Sequence, residues 1–276
     1  CNMAYLYIRD YLRQIQSNQL NQLTGSDNAI LSSLELTAIE EANSYLVQKY
    51  DTAYEFTDIE IFSTAVSYKG QRRVYLYAAD YVATNTYTSG SIVANNNKVY
   101  YLTASKTGAW TTANTTLLGD LYQVFNVKTP YAVWDAEELY TIGNQVWWHN
   151  KVYTCLNQNT GLAPDDSDNA QYWGSGTSWS LTAGTLPSDS TKWNAADNRS
   201  QQLVTYIVNI VLYYLSKRIA PQNIPINVIT AYDNAIEWLM SAAGDKAGIT
   251  ANIPRIQPKK GYRTRMSSIP RNNNTY

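Results

Sequence analysis

The apolar positions of this chain change period twice. Near both ends they recur every three or four residues, the spacing of one helix face; between, they alternate with polar residues, the spacing of strands. From about Met3 to Leu23, the positions Tyr5, Ile8, Leu12, Ile15 and Leu23 predict one helix. Thr24-Gly25-Ser26-Asp27-Asn28 is a break built of turn residues. A second helix is expected from about Ala29 to Tyr50, or from Ser33 if Ser32-Ser33-Leu34-Glu35 forms a capping box. Leu34, Ala38, Ala42 and Tyr45 share its apolar face, and Thr37, Glu41, Ser44 and Gln48 share the polar one. Asp51 to Asp58 shows no period. A third helix runs through Leu203 to Leu215, with Asn194 to Arg199 as its expected first turn and Pro221 as its stop. Only Thr205, Asn209 and Ser216 interrupt its apolar surface, which places it centrally in a bundle or against a neighbouring subunit. Lys217 and Arg218 fall in its last turn, where cations favour the helix dipole. The last helix spans Pro225 to Gly244, with proline in its first turn and glycine at an expected left-handed cap.

From about Glu60 the pattern is that of strands and hairpins. Runs of Tyr, Val and Thr, such as Val74-Tyr75-Leu76-Tyr77, alternate with Gly, Asn and Ser turns. The region repeats itself. Tyr87, Thr88, Gly90, Val93, Asn97, Lys98, Val99 and Tyr100 recur 53 residues later as Tyr140, Thr141, Gly143, Val146, Asn150, Lys151, Val152 and Tyr153. Tyr81 pairs with Trp134 and Ala83 with Ala136 at the same offset. An ungapped register of this kind marks two copies of one small β module. In each, Asn-Lys is expected to turn a hairpin, between strands ending near Val93 or Trp147 and starting at Val99 or Val152.

The 276 residues suffice for one large domain or two ordinary ones. The reading is an α+β chain: a helical domain formed by residues 1–60 and 196–245, interrupted by β modules at 61–130 and 131–195, and followed by a tail, 246–276. Charge sharpens the picture of the tail. The net charge is −1, yet no acid follows Asp245 while Arg255, Lys259, Lys260, Arg263, Arg265 and Arg271 do. With Pro254, Pro258 and Pro270 among many Asn and Ser, the tail is expected to be disordered or extended on its own. At about 3.3 Å per residue it could span on the order of 100 Å, enough to grip a neighbour. Its cations suit either phosphates or an acidic protein surface.

Two cysteines, Cys1 and Cys155, make neither a disulfide framework nor a zinc site and are expected to be free thiols in a reducing compartment. The chain opens on Cys1 rather than Met, so residues are expected to have stood before it; its first residues do not read as a basic-then-apolar leader. Its most apolar run, Leu203 to Leu215, falls short of the roughly 20 residues of a membrane span.

No catalytic constellation stands out. His149, the one histidine, lies in Trp147-Trp148-His149-Asn150 at an expected hairpin tip and reads as a surface residue. Asp165-Asp166-Ser167-Asp168 lacks the glycine and closing glutamate of a calcium loop and reads as a solvated acidic turn. There is no phosphate-cradling glycine loop and no carboxylate pair at glycosidase spacing, so no metal, cofactor or enzymatic activity is expected. Aromatic residues are the exception. Trp134, Tyr140, Trp147, Trp148, Tyr153, Tyr172 and Trp173 crowd the second module, where exposed rings could stack on sugars and buried ones could form a core poor in aliphatics. Trp147 and Trp148, being adjacent on a strand, must face opposite ways, so one of them is expected at the surface.

Two resemblances attach to these residues. Leu36-Thr37-Ala38 through Tyr45-Leu46 to Lys49-Tyr50, then a long apolar helix, then Tyr232-Asp233, Ala235-Ile236, Trp238-Leu239 and Gly244, resemble in order the helices of tailed-phage head–tail connector, or adaptor, proteins. The resemblance covers roughly residues 3–60 and 196–250. It implies a helical bundle assembled as a dodecameric ring beneath the portal, with DNA passing through the ring and the C-terminal tail reaching onto the portal. A large β insertion departs from the compact family pattern and resembles ring proteins of crAss-like Bacteroides phages. Trp134, Tyr140, Gly143, Val146, Lys151, Tyr153, Pro164 and Trp173 resemble the pattern of small chitin-binding-type carbohydrate modules. That resemblance implies sugar binding through Trp134, Tyr140, Trp147, Trp148, Tyr153 and Trp173, and leaves it in doubt for the copy at Tyr81 to Trp110, which lacks both tryptophans and the proline.

The expectation is therefore a structural virion protein at the portal–tail junction. Its partners would be further copies of itself, the portal, the next tail protein and the DNA, with no membrane and no catalysis. The alternatives are a carbohydrate-binding protein and, behind it, a glycan-processing enzyme.

Overall fold

The computed structural model describes residues 5–244 and 249–256, and its class is α+β. The helices are α1 (Ile8–Leu12), α2 (Ser17–Thr24), α3 (Asn28–Leu46), α4 (Thr52–Glu55), α5 (Gln201–Ile219) and α6 (Ile226–Ala243). Between α4 and α5 lie short strands: β1 (Ile59–Ile61), β2 (Tyr68–Lys69), β3 (Arg73–Tyr75), β4 (Ile92–Asn95), β5 (Lys98–Leu102), β6 (Thr115–Asp120), β7 (Val124–Val127), β8 (Leu139–Tyr140), β9 (Gln145–Trp148), β10 (Lys151–Thr154), β11 (Asn159–Thr160), β12 (Thr177–Ser178), β13 (Ser180–Leu181) and β14 (Trp193–Asn194).

Helices α3, α5 and α6 pack on one another, and residues from both ends of the chain share their hydrophobic cluster. Leu203, Ile207, Ile210, Val211 and Leu215 of α5 are all buried there, as the near-continuous apolar surface of that helix demands. Ala38 and Ala42 of α3 let α5 approach closely. Helix α3 starts at the first of its two expected places. Gly25, at φ 65°, ends α2, and the Asp27 carboxylate accepts the Ala29 N–H at 2.8 Å, so the Ser33 box is not used. Glu41, expected on a polar face, accepts the Tyr214 and Tyr232 hydroxyls, both at 2.8 Å.

Three expectations at the helix ends need correction. The stretch Met3–Leu23 is not one helix but α1 and α2, and Ile8 and Leu12 are 41% and 43% exposed. The buried face there is Tyr5, Leu6, Asp10, Tyr11 and Leu20. Asp10 turns inward because Arg199, just before α5, donates to its two oxygens at 2.7 and 3.2 Å, and a buried cation cannot be left unpaired. Helix α5 starts at Gln201, so Asn194 to Arg199 is not its first turn but the return of the chain from β14. Gly244 sits at φ −84°, not in the left-handed region. The Lys49 ammonium and the Tyr50 hydroxyl instead reach the Ala242 carbonyl at 2.8 and 3.4 Å and satisfy the end of α6.

A four-stranded sheet, ordered β1-β3-β7-β14, joins the helices to the rest. Its pairs are parallel for β1 and β3 and antiparallel for the others, with Val74 facing Phe125 and Trp193 facing Val127. The sequence pattern did not foresee it. Its strands come from widely separated places, including β1, which straddles the expected boundary at residue 60. Beneath it, Arg73 is fully buried and donates to the Glu55 carboxylate at 3.1 Å and to the Glu55 carbonyl at 2.7 Å. Glu55 also accepts the Tyr5 hydroxyl and the Ser200 amide, so α4, β3, the N-terminal segment and the entry to α5 meet at one carboxylate. This contact fixes how helices and sheet sit together; removing one partner of such a buried pair costs about 3–5 kcal/mol.

Beside this sheet stand the two copies of the repeat. Each is a three-stranded sheet: β4-β5-β6 in the first, β9-β10-β12 in the second. The 53-residue offset holds bond by bond. Tyr81 N–H donates to Ala94 O and Trp134 N–H to Trp147 O, at 2.7 and 2.9 Å. Gly90 N–H donates to Leu102 O and Gly143 N–H to Cys155 O, at 2.8 and 2.9 Å. The turns fall one residue earlier than expected, at Asn96-Asn97 (φ 50° and 59°) and His149-Asn150 (φ 42° and 65°). Both central residues are left-handed, the turn whose twist matches a two-residue hairpin, and Asn tolerates it best after Gly.

Candidate functional site

The segment Lys49–Asp51, between α3 and α4, is where helices, second hairpin unit and C-terminal extension converge. On one side the extension lies along it: Pro254 O accepts the Asp51 N–H at 2.8 Å, Ile256 N–H donates to Lys49 O at 3.1 Å, and Tyr50 pairs antiparallel with Arg255. Ala251 and Ile253 are buried in the helical cluster, and the Tyr50 hydroxyl lies 3.3 Å from the Ala251 amide. The start of the expected tail is therefore a strap held by main-chain bonds and two apolar anchors. Arg255 belongs to that strap, its guanidinium 5.9 Å from the Tyr50 ring centroid. Lys259, Lys260, Arg263, Arg265 and Arg271 lie outside the described residues.

On the other side of the segment is a cleft of about 480 Å3, lined by Asp51, Tyr54, Glu60, Arg72, Trp148 and His149 among others. Arg72 and Glu60 form an ion pair on its wall. His149 reaches across it. The ring nitrogens lie 3.2 Å from Asp51 Oδ2 and 2.5 Å from Asp165 Oδ2. The same ring stacks on Trp148 at 4.2 Å, and Trp148 Nε1 donates to the other oxygen of Asp165 at 2.9 Å. Hydrogen bonding to Asp51, opposed by burial and aided by Asp165, raises the imidazole pKa from its ordinary value to about 8. His149 is exposed at the hairpin tip, as expected, but also bridges two parts of the molecule, and Asp165, in an acidic turn that is exposed as expected, is also the acceptor for Trp148 and faces the imidazole. Neither role was visible in sequence, because the carboxylates lie 98 and 16 positions away. The arrangement holds a proton between two carboxylates; among the described residues no serine, threonine or cysteine is hydrogen-bonded to the imidazole, so these residues build no nucleophile–base pair.

The candidate sugar-binding rings have another use. Trp134, Tyr140, Trp147, Trp148, Tyr153 and Trp173 are all between 1% and 6% exposed. Trp134, Tyr140, Trp148, Tyr153 and Trp173 form the core of the second unit, with Trp134 against Trp148 at 4.9 Å and Tyr140 against Trp173 at 5.3 Å. Trp147 does face the opposite way from Trp148, as a strand requires, but it is buried too. It packs on Gly70, where an added Cβ would sit 2.5 Å from its ring, and its Nε1 donates to Gln71 at 3.2 Å. The expected exposed tryptophan is therefore absent from this pair, because the second face of β9 is covered by the β2–β3 turn. Tyr172 is half-exposed at the edge of that core, but a cluster of half-exposed rings stands in the first unit, where sugar binding was in doubt. Tyr81, Tyr87, Tyr100 and Trp110 cluster there, with Trp110 5.0 and 4.9 Å from Tyr81 and Tyr100. Lys106 Nζ lies 5.4 Å from the Trp110 centroid.

Among the described residues no group of three side chains could hold a metal ion, and no helix is long and apolar enough to cross a membrane. Cys155 is a free, buried thiol whose pKa burial raises, the state of an inert core cysteine. Comparison with protein-family models and with curated proteins gave no match.

Proposed function

We propose that the chain is a structural virion protein of the head–tail connector class, a dodecameric ring joining portal to tail around the DNA. In this reading residues 1–60 and 196–245 are the ring-forming helical domain, the two hairpin units are an insertion carried on it, and residues 246–276 are the arm that docks on the portal. The observation that carries the reading is the strap. An arm that must bear load between subunits needs a fixed point of departure, and Ala251–Ile256 supplies one through main-chain bonds to Lys49–Asp51. Arg255 lies in that anchor and Lys259, Lys260, Arg263, Arg265 and Arg271 follow it in the sequence, as expected of an arm that seeks an acidic or phosphate-bearing surface. The test is removal of residues 257–276, which leaves the strap intact. The shortened chain should keep its fold and lose association with its virus's portal; unchanged association would refute the docking role of the arm.

A second reading, carbohydrate binding, is favoured by one observation, the half-exposed ring cluster of the first hairpin unit. Lys106, whose ammonium lies over the Trp110 ring, donates to the Thr111 hydroxyl at 2.7 Å, so flat apolar faces and hydrogen-bonding groups meet there, the mixture that suits a pyranose. Retention of the chain on insoluble chitin, abolished by Trp110→Ala, would support it; passage without retention would remove it.

A further inference from the structure

We propose that His149 is a proton-operated latch that locks the second hairpin unit onto the segment bearing the C-terminal strap. The inference stands on contacts within the chain and does not depend on the ring reading.

The geometry is asymmetric between the two units. At the tip of the first hairpin the left-handed turn is Asn96-Asn97, and Asn96 takes the place that His149 has in the second. In the second unit the imidazole leaves its own hairpin and contacts Asp51. Asp51 is committed on three sides. Its backbone N–H donates to Pro254 O of the strap, its Oδ1 caps α4 by accepting the Tyr54 N–H at 3.1 Å, and its Oδ2 faces His149. Strap and second unit thus pull on one residue.

The groups around the imidazole are Asp51 from the start of α4, Asp165 from the loop of the second unit, and Tyr54, Glu60, Lys69 and Arg72 from the cleft walls, where Glu60 and Arg72 pair with each other. The doubly protonated ring has two N–H donors and serves both Asp51 and Asp165. The neutral ring has one, so one carboxylate then faces a lone pair. The folded pKa, about 8, lies above the ordinary 6.5. Docking of the unit is therefore complete below about pH 6.5 and weakens as pH rises through about 8. The ring is 39% exposed, so the effect is that of a solvent-screened pair, about threefold in the docking equilibrium.

The experiment uses the full chain. His149 is the one histidine, so its ring resonances titrate alone in an NMR spectrum. Amide hydrogen exchange of residues 49–56, corrected for the intrinsic rate, reads the docking. Protection should fall about threefold between pH 6.5 and 9 in the native chain and show no such fall in His149→Asn. That variant carries the residue type of the sister turn and suits the φ of 42°. Amides of the β4–β5 hairpin should be unaffected in both. A second variant, Asp51→Asn, keeps an oxygen to cap Tyr54 and should lower the midpoint of the His149 titration. Protection independent of pH in the native chain, an equal fall in His149→Asn, or a midpoint unmoved by Asp51→Asn would each overturn the latch.

Discussion

In the first hairpin unit Trp110 lies half-exposed over Tyr81 and Tyr100, whereas in the second Trp173 is buried against Tyr140 with its Nε1 donating to Leu162 O. The hairpins beneath these rings share main-chain bonds at the 53-residue offset, Tyr81 to Ala94 with Trp134 to Trp147 and Gly90 to Leu102 with Gly143 to Cys155. What differs is the chain that follows the hairpin. In the first unit Leu102 leads to β6 at Thr115 within a short excursion; in the second, Thr154 leads to β12 only at Thr177. That longer excursion brings Asp165 to Trp148 and His149, and lays Trp173 over the core. The path of a hairpin is thus set by its turns and alternation, while what its aromatic rings do is set by the loop that covers them.

Trp173→Ala and Trp110→Ala test that distinction most strongly. The first opens a cavity in a core whose buried residues are mostly aromatic and should cost about 3–5 kcal/mol in chemical denaturation. The second should cost about 1 kcal/mol, the worth of an exposed aromatic contact. Equal costs would break the comparison. Gly70→Ala probes the seat of the second unit. Its Cβ would lie 2.5 Å from Trp147, and the overpacking should cost about 1–3 kcal/mol by the same measurement. Gly90→Ala and Gly143→Ala should behave alike, because both glycines sit at φ near 90° with no side chain crowding them. Each should lose about 1–2 kcal/mol from backbone strain alone. A large difference between them would show that the shared path is not equally supported.

The smallest effect is in pH. Burial raises the Glu35 carboxyl to about 7, although it accepts the Leu6 N–H and the Tyr11 hydroxyl. A carboxyl so raised contributes stability that is present below its unfolded value and is lost as pH rises through about 7. His149 adds a second loss as pH rises through about 8. Melting temperatures should therefore fall in two stages, with Glu35→Gln removing the lower stage and His149→Asn the upper. Retention of both stages in the double variant would show that other groups govern the pH response.

The repeat and its hairpins were legible in sequence because each rests on local chemistry: an Asn at a left-handed turn, a glycine at positive φ and strict alternation. Helices α3, α5 and α6 were legible for the same reason. The four-stranded sheet was not: the run at Val74-Tyr75 was legible as a strand and became β3, but β1, β7 and β14 hold two to four residues each and reveal themselves only when paired. The burial of Asp10 in place of Ile8 and Leu12 depended on Arg199 meeting it from 189 positions away. The abundance of aromatics in the second unit was legible, but whether they faced a ligand or one another depended on a loop of low periodicity. The latch shares that fate, as nothing beside His149 in sequence points to Asp51.

The central proposal, a ring-forming connector, is tested most directly by the native mass of the full chain, alone and mixed with the portal protein that the proposal makes its partner. The account predicts a closed assembly near twelve times the 31.1 kDa of one chain, formed either spontaneously or on the portal. A chain that stays monomeric in both conditions would contradict it and leave the ring cluster of the first hairpin unit as the functional surface.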